Sequence, residues 1–511
     1  MHQEKIVLLR LTQSQRFLNS EVTLASFTHE QNSLFTGIET TVLRMQWLDQ
    51  QQPAALPNFE SLARHFRFRL LGKACRDTKI RSLLLAHHQD DQVETLLMRM
   101  TAGHRMPGLI GIKREANIPE CYGIHGVHES GGLDHMARQY SQSTHSSPGS
   151  SQATPNIQHR PGTHGIVPIE FGGIRVYRPL LSFNKARLRA TCLEEGIQWF
   201  EDRTNSDPTI TTRNAIRHMY SHHSLPAALS KPALLSMSRR YEKRVAARVI
   251  RAETLLAKCM SVILDTRVGV ARLCFNDISH FLAASPKNQD SQQIAAIVLR
   301  RVIMLVAPVE HVVTSSLHST LWRIFPELFT NKSQDVPPPK RFTISGTQFS
   351  PAVGMTVPTS TECRSKNHEW TLSRQLHPSR PDKQPHSPVR LPLVAMTWST
   401  WTLFDGRFWV RIKTSHAMSL FIRPLLKEDL KNFKANISAS NRTKLSILLK
   451  ELAPGDIRWT LPAIVAFDEA GKETVLCLPT LDIAVQNMVG EFEYEARYKK
   501  VSLGALATVL C

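Results

Sequence analysis

The sequence has no long apolar run, no clustered cysteines and too few acidic residues to balance its basic ones. No stretch of about 18 apolar residues occurs in the 511-residue chain, so we expect no transmembrane helix and no membrane partner. The eight cysteines are scattered and form no C-x-x-C pair, which argues against a disulfide scaffold and against a zinc knuckle.

The shortage of acids leaves a strongly basic chain. It has 43 Asp+Glu against 63 Lys+Arg, a formal net charge of +20 and a pI near 9.8. This surplus predicts a polyanionic partner, with nucleic acid as the first candidate. A basic protein without such a partner is the alternative. The hydrophobic content of 42% is enough for packed cores and excludes a wholly disordered chain.

Strand and helix patterns alternate in the first part of the chain. They are a strand at Gly37–Leu48, a basic amphipathic helix at Asn58–Asp77, a buried strand at Ile80–Ala86 and a helix through Val93–Met100. The apolar face of the first helix is predicted at four-residue spacing, on Leu62, Phe66, Leu70 and Ala74. This order predicts an α/β fold with a parallel sheet.

Composition divides the rest of the chain. We predict a domain at 1–218 with a disordered insertion at 115–165, a helical domain at 219–330, a disordered linker at 331–390 and a β-rich C-terminal domain at 391–511. Within the first domain, order returns with a strand at Ile174–Leu181 and a helix at Asn184–Glu195. Two hairpins are predicted in the last domain, at Trp401–Ile412 and Ile464–Leu478.

Five chemically active side chains occur within HHQDDQVET at residues 87–95. The segment lies where a buried strand passes to a helix, and ligands of open α/β sheets bind at such strand ends. Carboxylates in a first helical turn also have a structural explanation as caps, but this number of polar groups exceeds what capping needs. Asp90 and Glu94 can share one helical face, as can His87 and Asp91, and such carboxylates can hold Mg²⁺ or a substrate ammonium.

A transition-metal centre at the same residues is the competing hypothesis. His87 and His88 are neighbours, so they point well apart on a helix and to opposite faces on a strand. They cannot easily bind one metal ion together. A metal-dependent hydrolase that uses these histidines with Asp90 and Asp91 stays an alternative, which stoichiometric zinc or manganese would favour.

The second polar segment is EDRTNSDP at 201–208, followed by TRNAIRH at 212–218. The turn residues at 205–208 lead into a helix. Arg213 and Arg217 are four residues apart, so their guanidinium groups share a face near the helix start, which suits a phosphate. A solvated basic face paired with Glu201 or Asp202 would give the same pattern.

Together these segments resemble the tRNA(Ile)-lysidine synthases, a family of PP-loop ATP-pyrophosphatases. The resemblance is carried by LLLAHHQDDQVETLLMRM (83–100), GLIGI (108–112), RPLL (178–181) and WFEDRTNSDPTITTRNAIRH (199–218), and it covers about residues 37–218. It implies that residues 1–218 form a parallel-sheet PP-loop domain of the adenine nucleotide alpha hydrolase-like type, followed by the helical domain and a small β-rich C-terminal region.

The resemblance also implies a reaction. The family uses ATP to adenylate C2 of the wobble cytidine in an isoleucine tRNA with a CAU anticodon, and the ε-amino group of free L-lysine then displaces AMP. By motif, His87, Asp90, Asp91 and Glu94 would line the Mg²⁺ and lysine side of the pocket, with Asp90 and Asp91 as Mg²⁺ ligands. Arg213 would stabilise phosphate or anticodon charge. The residues expected to contact tRNA are Arg64, Arg67, Arg217, Arg239, Arg244 and Arg248.

One family feature is missing. No Ser-Gly-Gly-x-Asp-Ser phosphate loop follows a strand before Gly37. The similar SGGLDH at 130–135 follows no buried strand and comes after the HHxDD segment, so we reject it as the loop. We therefore expect a domain truncated at its N-terminus, from an incomplete gene model or in a shortened paralogue, with little or no ligase activity in the chain as printed.

Basic and aromatic side chains also occur outside these motifs. The run RRYEKR at 239–244, with Arg248, is either a solvated face or a phosphate contact. Trp398, Trp401 and Trp409 are predicted to pack a β core rather than to stack on bases.

A non-catalytic tRNA-binding paralogue that has lost ATP binding is the alternative to the ligase. A tRNA-thiolation relative would need paired cysteines, which the chain lacks. The compartment is expected to be mitochondrial or cytoplasmic.

Overall fold

The structure is a computed structural model. It describes residues 7–12, 39–44, 59–131, 158–159, 166–199, 207–209, 211–275, 289–329, 339–352, 369–377, 388–392, 396–415, 419–467, 471–486, 492–502 and 507–510. The chain forms two compact units. Unit 1 comprises Met1–His145 and Gly172–Lys243, and unit 2 comprises Ser146–Phe171 and Arg244–Cys511.

The helices are α1 (Phe59–Asp77), α2 (Gln89–Thr101), α3 (Lys185–Glu194), α4 (Thr212–His222), α5 (Lys231–Cys259), α6 (Gln289–Val306), α7 (Leu321–Ile324), α8 (Asp429–Asn436) and α9 (Ala439–Glu451). The strands up to residue 300 are β1 (Val7–Thr12), β2 (Glu39–Arg44), β3 (Ser82–Leu84), β4 (Glu115–Asn117), β5 (Gln158–His159), β6 (Arg175–Tyr177), β7 (Met260–Asp265) and β8 (Val270–Phe275). The later strands are β9 (Phe342–Ile344), β10 (Thr347–Pro351), β11 (Glu369–Arg374), β12 (Val389–Arg390), β13 (Thr402–Phe404), β14 (Phe408–Thr414), β15 (Leu420–Pro424), β16 (Pro462–Phe467), β17 (Glu473–Leu478), β18 (Ile483–Ala484), β19 (Phe492–Tyr498) and β20 (Ala507–Leu510).

Unit 1 has the predicted alternation of strands and helices, in the order β2, α1, β3 and α2. β1 and β2 pair in parallel, and a second sheet has the order β3–β6–β4. β3 and β6 are parallel as predicted, but β4 is antiparallel to β6, so this sheet is mixed. The predicted strand at Ile174–Leu181 is shorter than expected because a 3-10 turn begins at Pro179.

Helix α1 forms where predicted but buries a different face. The four residues predicted to face the core are only half-buried, and the fully buried apolar residues are Ala63, Phe68, Leu71 and Cys75. The reason is a close approach at Gly72, where an added Cβ would lie 2.5 Å from Cγ1 of Val127. The buried face of α1 is therefore the one that contains Gly72, with Phe68, Leu71 and Cys75 beside it.

The predicted disordered insertion is wrong for residues 115–131, which are ordered. Four apolar residues recur there at every third position and are buried with Phe68 and Val176: Ile118, Cys121, Ile124 and Val127. This spacing of three, inside a Gly- and His-rich segment, is the signal that the composition hid. Most of the remaining insertion lies outside the described residues.

Unit 2 contains a seven-stranded sheet in the order β5–β20–β7–β8–β11–β10–β9. The region predicted as helical thus contains the β7–β8 hairpin, and the stretch predicted as a disordered linker contributes β9, β10 and β11. Both predictions are wrong at these strands. Buried residues such as Val262, Phe349 and Trp370 join the strands in one apolar core.

The C-terminal hairpins are confirmed, but the β-rich region is not small. β13 and β14 pair around Asp405, and β16 pairs with β17. Trp409 is buried, as predicted for a core residue. Trp398 and Trp401 are half-buried, and the guanidinium of Arg411 lies 4.6 Å and 4.7 Å from their ring centroids. None of the helices that the structure describes is long and apolar enough to cross a membrane.

Candidate functional site

The candidate site begins in the connection between the end of β3 and the start of α2. Leu83 is buried in β3, and the chain turns into α2 with His88 at the N-cap position. The backbone N–H of Gln89, the first helical residue, donates to the Phe183 carbonyl at 2.9 Å. Because Val93, Leu96 and Leu97 bury one face of α2, its polar first turn is held at the surface of the apolar cluster beneath.

Helix α4 supplies two arginines to the same place. Thr211 caps the helix by accepting from the Asn214 N–H at 3.1 Å. The buried Asn214 side chain donates to the Asp207 carbonyl at 2.9 Å. Ile216 packs into the cluster under α2. These contacts fix α4 so that Arg213 and Arg217, one turn apart, both face α2.

Glu94 is the centre of the resulting charge cluster. It is only 4% exposed, and Arg217 holds it with two hydrogen bonds, Nε–Oε1 at 2.7 Å and Nη2–Oε2 at 3.1 Å. Arg213 Nη1 lies 3.6 Å from Glu94 Oε2. Burial by itself lowers the pKa of Arg217, but the bond to Glu94 outweighs it and raises that pKa above its ordinary value. Glu94 therefore orients both arginines.

The two adjacent aspartates have different partners. Asp91 Oδ2 accepts the backbone N–H of His88 at 2.8 Å, and its Oδ1 lies 3.9 Å from both Arg213 Nη1 and Arg217 Nη2. Asp90 instead faces Lys231 and Lys185. Burial alone would raise the pKa of Asp90, but its bonds to Lys231 and to the Lys185 N–H outweigh that effect and lower the pKa.

His87 adds a neutral imidazole beside these charges. Its pKa is lowered first by burial and further by the positive charges of Arg178, Arg213 and Arg64, against an opposing effect of Asp91. Its Nδ1 is buried and has no hydrogen-bond partner among the described residues. A neutral imidazole of this kind can accept a proton near pH 7.

The predicted Mg²⁺ ligand Asp90 has protein partners in this structure. Its Oδ1 accepts from Lys231 Nζ at 2.5 Å and its Oδ2 accepts from the Lys185 N–H at 2.8 Å. Binding of Mg²⁺ by Asp90 would have to replace these contacts, so its role as a ligand stays a prediction. Within the described ranges, no group of three or more His, Cys, Asp or Glu side chains is placed to hold a metal ion.

Of the predicted catalytic residues, the structure brings His87, Asp91, Glu94 and Arg213 together, and Arg217 lies with them. The predicted tRNA contacts have varied surroundings. Arg64 Nε lies 3.1 Å from Glu120, and Arg67, Arg239 and Arg244 are exposed. Arg248 is ion-paired with Asp290 and its side chain is 13% exposed, so it packs α5 against α6. Most of the EDRTNSDP segment, including Glu201 and Asp202, lies outside the described residues.

Several supporting residues were not predicted. Gln92 Nε2 donates to the Ile110 carbonyl at 3.1 Å, and Arg99 donates to the Gly108 and Gly111 carbonyls at 2.7 Å and 2.9 Å. These bonds hold the GLIGI segment against α2. Two long polar side chains seven residues apart, on one face of α2, are the signal that could have identified them.

The SGGLDH segment has a packing role where it is described. Ser130 is fully buried and its hydroxyl donates to the His128 carbonyl at 2.9 Å. A Cβ added at Gly172, where φ is +102°, would lie 1.8 Å from the Gly131 carbonyl oxygen. A Cβ added at Gly131, where φ is +58°, would lie 2.9 Å from His125 Cε1, so this glycine has a packing role, while Gly132 lies outside the described residues.

Comparison with known proteins shows what part of this chain is similar to. Residues 18–125 and 161–223 match the PP-loop domain, beginning ahead of Gly37. The chain is 25% identical over 437 residues to the probable tRNA(Ile)-lysidine synthase of Schizosaccharomyces pombe, across 84% of this chain and 75% of that protein.

Two bacterial proteins match over shorter stretches. Identity to the tRNA(Ile)-lysidine synthase of Lactiplantibacillus plantarum is 29% over 168 residues, covering 32% of this chain and 25% of that protein. Identity to that of Wolbachia pipientis is 23% over 150 residues, covering 29% and 22%. The match therefore spans only about a quarter of each bacterial relative. A solved U34-tRNA thiolase from Methanococcus maripaludis, with its [4Fe-4S] cluster, is 12% identical, and the match covers 47% of this chain and 61% of that one. Its TM-score of 0.26 is too low to indicate a shared fold.

Proposed function

Because the chain contains a PP-loop domain and is related to the tRNA(Ile)-lysidine synthases, we propose that it ligates L-lysine to the wobble cytidine of an isoleucine tRNA. ATP is the proposed activating substrate, since PP-loop domains bind ATP in general. The tRNA is proposed to carry the CAU anticodon of the family's reaction. The net charge of +20 supports a polyanionic substrate.

The observation that carries this proposal is the cluster of Asp91, Glu94, Arg213 and Arg217 at the strand end. Adenylation joins the C2 oxygen of cytidine to the α-phosphorus of ATP and releases pyrophosphate. Negative charge develops on the phosphoryl oxygens during this step, and guanidinium groups fixed in advance by Glu94 stabilise such charge. Arg213, which Glu94 binds less closely than Arg217, is assigned this role.

Amine attack is the second step. The ε-nitrogen of lysine forms a bond to C2, the C2–O bond breaks, and the oxygen leaves with AMP. The ε-ammonium must first lose a proton, because only the neutral amine is a nucleophile. We assign that proton transfer to His87, whose imidazole is neutral and lies within electrostatic range of Asp91. Asp91 is then the carboxylate that holds the ammonium before deprotonation.

The direct test is incorporation of radiolabelled lysine into an isoleucine tRNA transcript with a CAU anticodon. We expect slow incorporation that requires ATP and stops when Glu94→Gln or Asp91→Asn is introduced. Glu195→Gln, which changes an exposed glutamate at the end of α3, is the matched control and should leave the rate unchanged. Incorporation that persists without ATP, or in the Glu94→Gln variant, would overturn the proposal.

A non-catalytic tRNA-binding role is the second candidate, and one observation favours it. No Ser-Gly-Gly-x-Asp-Ser sequence occurs in the chain, and such a loop normally supplies backbone N–H groups to the phosphates. In this case the chain would bind the tRNA but show neither lysine incorporation nor lysine-dependent ATP–pyrophosphate exchange. Tight tRNA binding with no activity in either assay would select this candidate.

A further inference from the structure

Lys231 lies outside every predicted motif, yet its side chain meets the first turn of α2. We infer that Lys231 is a positioning residue for the candidate site, acting through Asp90 to lock the starts of α2, α3 and α5 together. The inference rests on the proposed function for its catalytic consequence. The contacts themselves are independent of that function.

Asp90 is the junction of three helices. Its Oδ1 accepts from Lys231 Nζ at 2.5 Å, and its Oδ2 accepts from the backbone N–H of Lys185 at 2.8 Å. Lys185 is the first residue of α3 and Lys231 is the first residue of α5. One carboxylate in the first turn of α2 therefore fixes where two other helices begin.

A second contact holds Lys231 in place. Its Nζ lies 5.5 Å from the centroid of the Tyr220 ring, within cation–π range. The Tyr220 hydroxyl donates to the Leu229 carbonyl at 2.6 Å, two residues before Lys231. Tyr220 thus binds both the ammonium and the turn that precedes it, which adds α4, the helix of Arg213 and Arg217, to the junction.

The junction separates the roles of the two aspartates. His88 Nδ1 lies 3.7 Å from Asp90 Oδ2 and 3.5 Å from Asp91 Oδ2, so both carboxylates border the same imidazole. While Lys231 and Lys185 hold Asp90, Asp91 is the aspartate that lies beside the arginine pair. Without the Lys231 cation, Asp90 loses its ion pair, and repulsion between the two carboxylates displaces Asp91 from its position.

The test is a charge-compensation experiment in the full chain. Lys231→Met keeps the stem length and removes the charge, and we expect kcat for lysine incorporation to fall about tenfold through mispositioning. Adding Asp90→Asn removes the uncompensated carboxylate and should restore kcat to within about threefold of the unmodified chain. Lys231→Arg should retain most of the rate. Lys450→Met, at an exposed position of α9, is the control.

The second partner of Asp90 can be removed separately. Lys185→Pro deletes the donating N–H, and Asn184 has a ψ of 160°, which a following proline accepts at a helix start. Lys185→Ala removes the same side chain but keeps the N–H. We expect kcat to fall in the proline variant well below that of the alanine variant; equal rates would remove Lys185 from the junction.

Thermal unfolding tests whether Lys231 and Asp90 act as a unit, even if the chain proves inactive. Lys231→Met and Asp90→Asn should each lower the Tm by about 1–3 °C, and the double variant by no more than the larger single shift. Additive Tm shifts would overturn the inference. So would a Lys231→Met variant with unchanged kcat, or a double variant as slow as Lys231→Met. Absence of incorporation in every variant, with non-additive Tm shifts, would count against the proposed function alone.

Discussion

The guanidinium of Arg217 lies alongside the carboxylate of Glu94, with Nε 2.7 Å from Oε1 and Nη2 3.1 Å from Oε2. This two-point contact joins α4 to α2 across 123 residues of sequence. Paired hydrogen bonds of this geometry fix the planes of both groups. Glu94 therefore serves first to orient the arginines, and a role as a metal or ammonium ligand would require it to release Arg217.

Removing the Glu94 charge should destabilise unit 1. In Glu94→Gln the buried side chain can no longer satisfy both guanidinium donors, so we expect a loss of about 1–3 kcal/mol in the free energy of unfolding. Urea unfolding measures it, with the exposed Glu195→Gln as control. Combining Glu94→Gln with Arg217→Met should cost much less than the sum of the two single changes. Additive losses would show that the pair does not act as a unit.

Arg213 and Arg217 should have different roles, the first in activity and the second also in stability. Arg213 Nη1 lies 3.6 Å from Glu94 Oε2, whereas Arg217 Nε lies 2.7 Å from Glu94 Oε1, so Glu94 binds Arg213 less closely than Arg217. We expect Arg213→Met to lower lysine incorporation about 100-fold with little change in Tm. Arg217→Met should lower the Tm as well. A fall in Tm for Arg213→Met as large as that for Arg217→Met would assign Arg213 a structural role instead.

Neutral His87 predicts a pH dependence of stability. Its folded-state pKa lies below the ordinary value of 6.5, so the unfolded chain binds the proton more readily. The stabilising contribution is therefore complete above pH 6.5 and is lost as the pH falls through the folded-state pKa. His87→Gln should flatten the stability profile below pH 6.5, as followed by unfolding at several pH values. A profile identical to that of the unmodified chain would contradict the buried neutral imidazole.

The packing of Gly172 against Gly131 gives a prediction for the ordered insertion. Gly172→Ala places a methyl group against a backbone carbonyl at a φ of +102°, so we expect a loss of about 2–4 kcal/mol. Gly103→Ala is the matched control, since Gly103 has a φ of +72° with no atom within 4 Å of its added Cβ. It should cost about 1 kcal/mol from backbone strain alone. Equal losses in unfolding experiments would mean that the close approach does not exist.

The local parts of this site were predictable from sequence, and the long-range parts were not. The helix of Val93–Leu97 and the shared face of Arg213 and Arg217 follow from helical periodicity. The partner of Asp90 does not, because Lys231 lies 141 residues away and no spacing rule links them. The sequence therefore predicted Asp90 as a Mg²⁺ ligand but did not predict its ion pair with Lys231.

The same distinction holds for the fold. The hairpin around Asp405 was predictable because its turn residues and flanking apolar runs are adjacent in sequence. β9–β11 were missed because short strands amid Pro- and His-rich segments are stabilised by a distant partner, β8. In α1, the buried face contains Gly72 because Val127 approaches the helix closely there, and the periodicity of the large apolar residues alone did not show this.

Charge on α5 should contribute to tRNA binding. Arg239 and Arg244 are exposed, whereas Arg248 is committed to Asp290. The double change Arg239→Glu and Arg244→Glu should weaken tRNA binding and reduce the slope of log K against log salt by about two. The same charge change at the exposed Lys427 and Lys431, in unit 2, is the control for net charge. Equal effects of the two double variants would mean that net charge alone governs binding.

Both candidate functions require tRNA, so the deciding measurement is the affinity of the purified chain for an isoleucine tRNA transcript with a CAU anticodon across salt concentrations. We expect binding that persists at physiological salt, weakens linearly in log salt, and exceeds binding to a duplex DNA of equal charge. Affinity for the duplex DNA equal to that for the tRNA, or no tRNA binding at physiological salt, would contradict it.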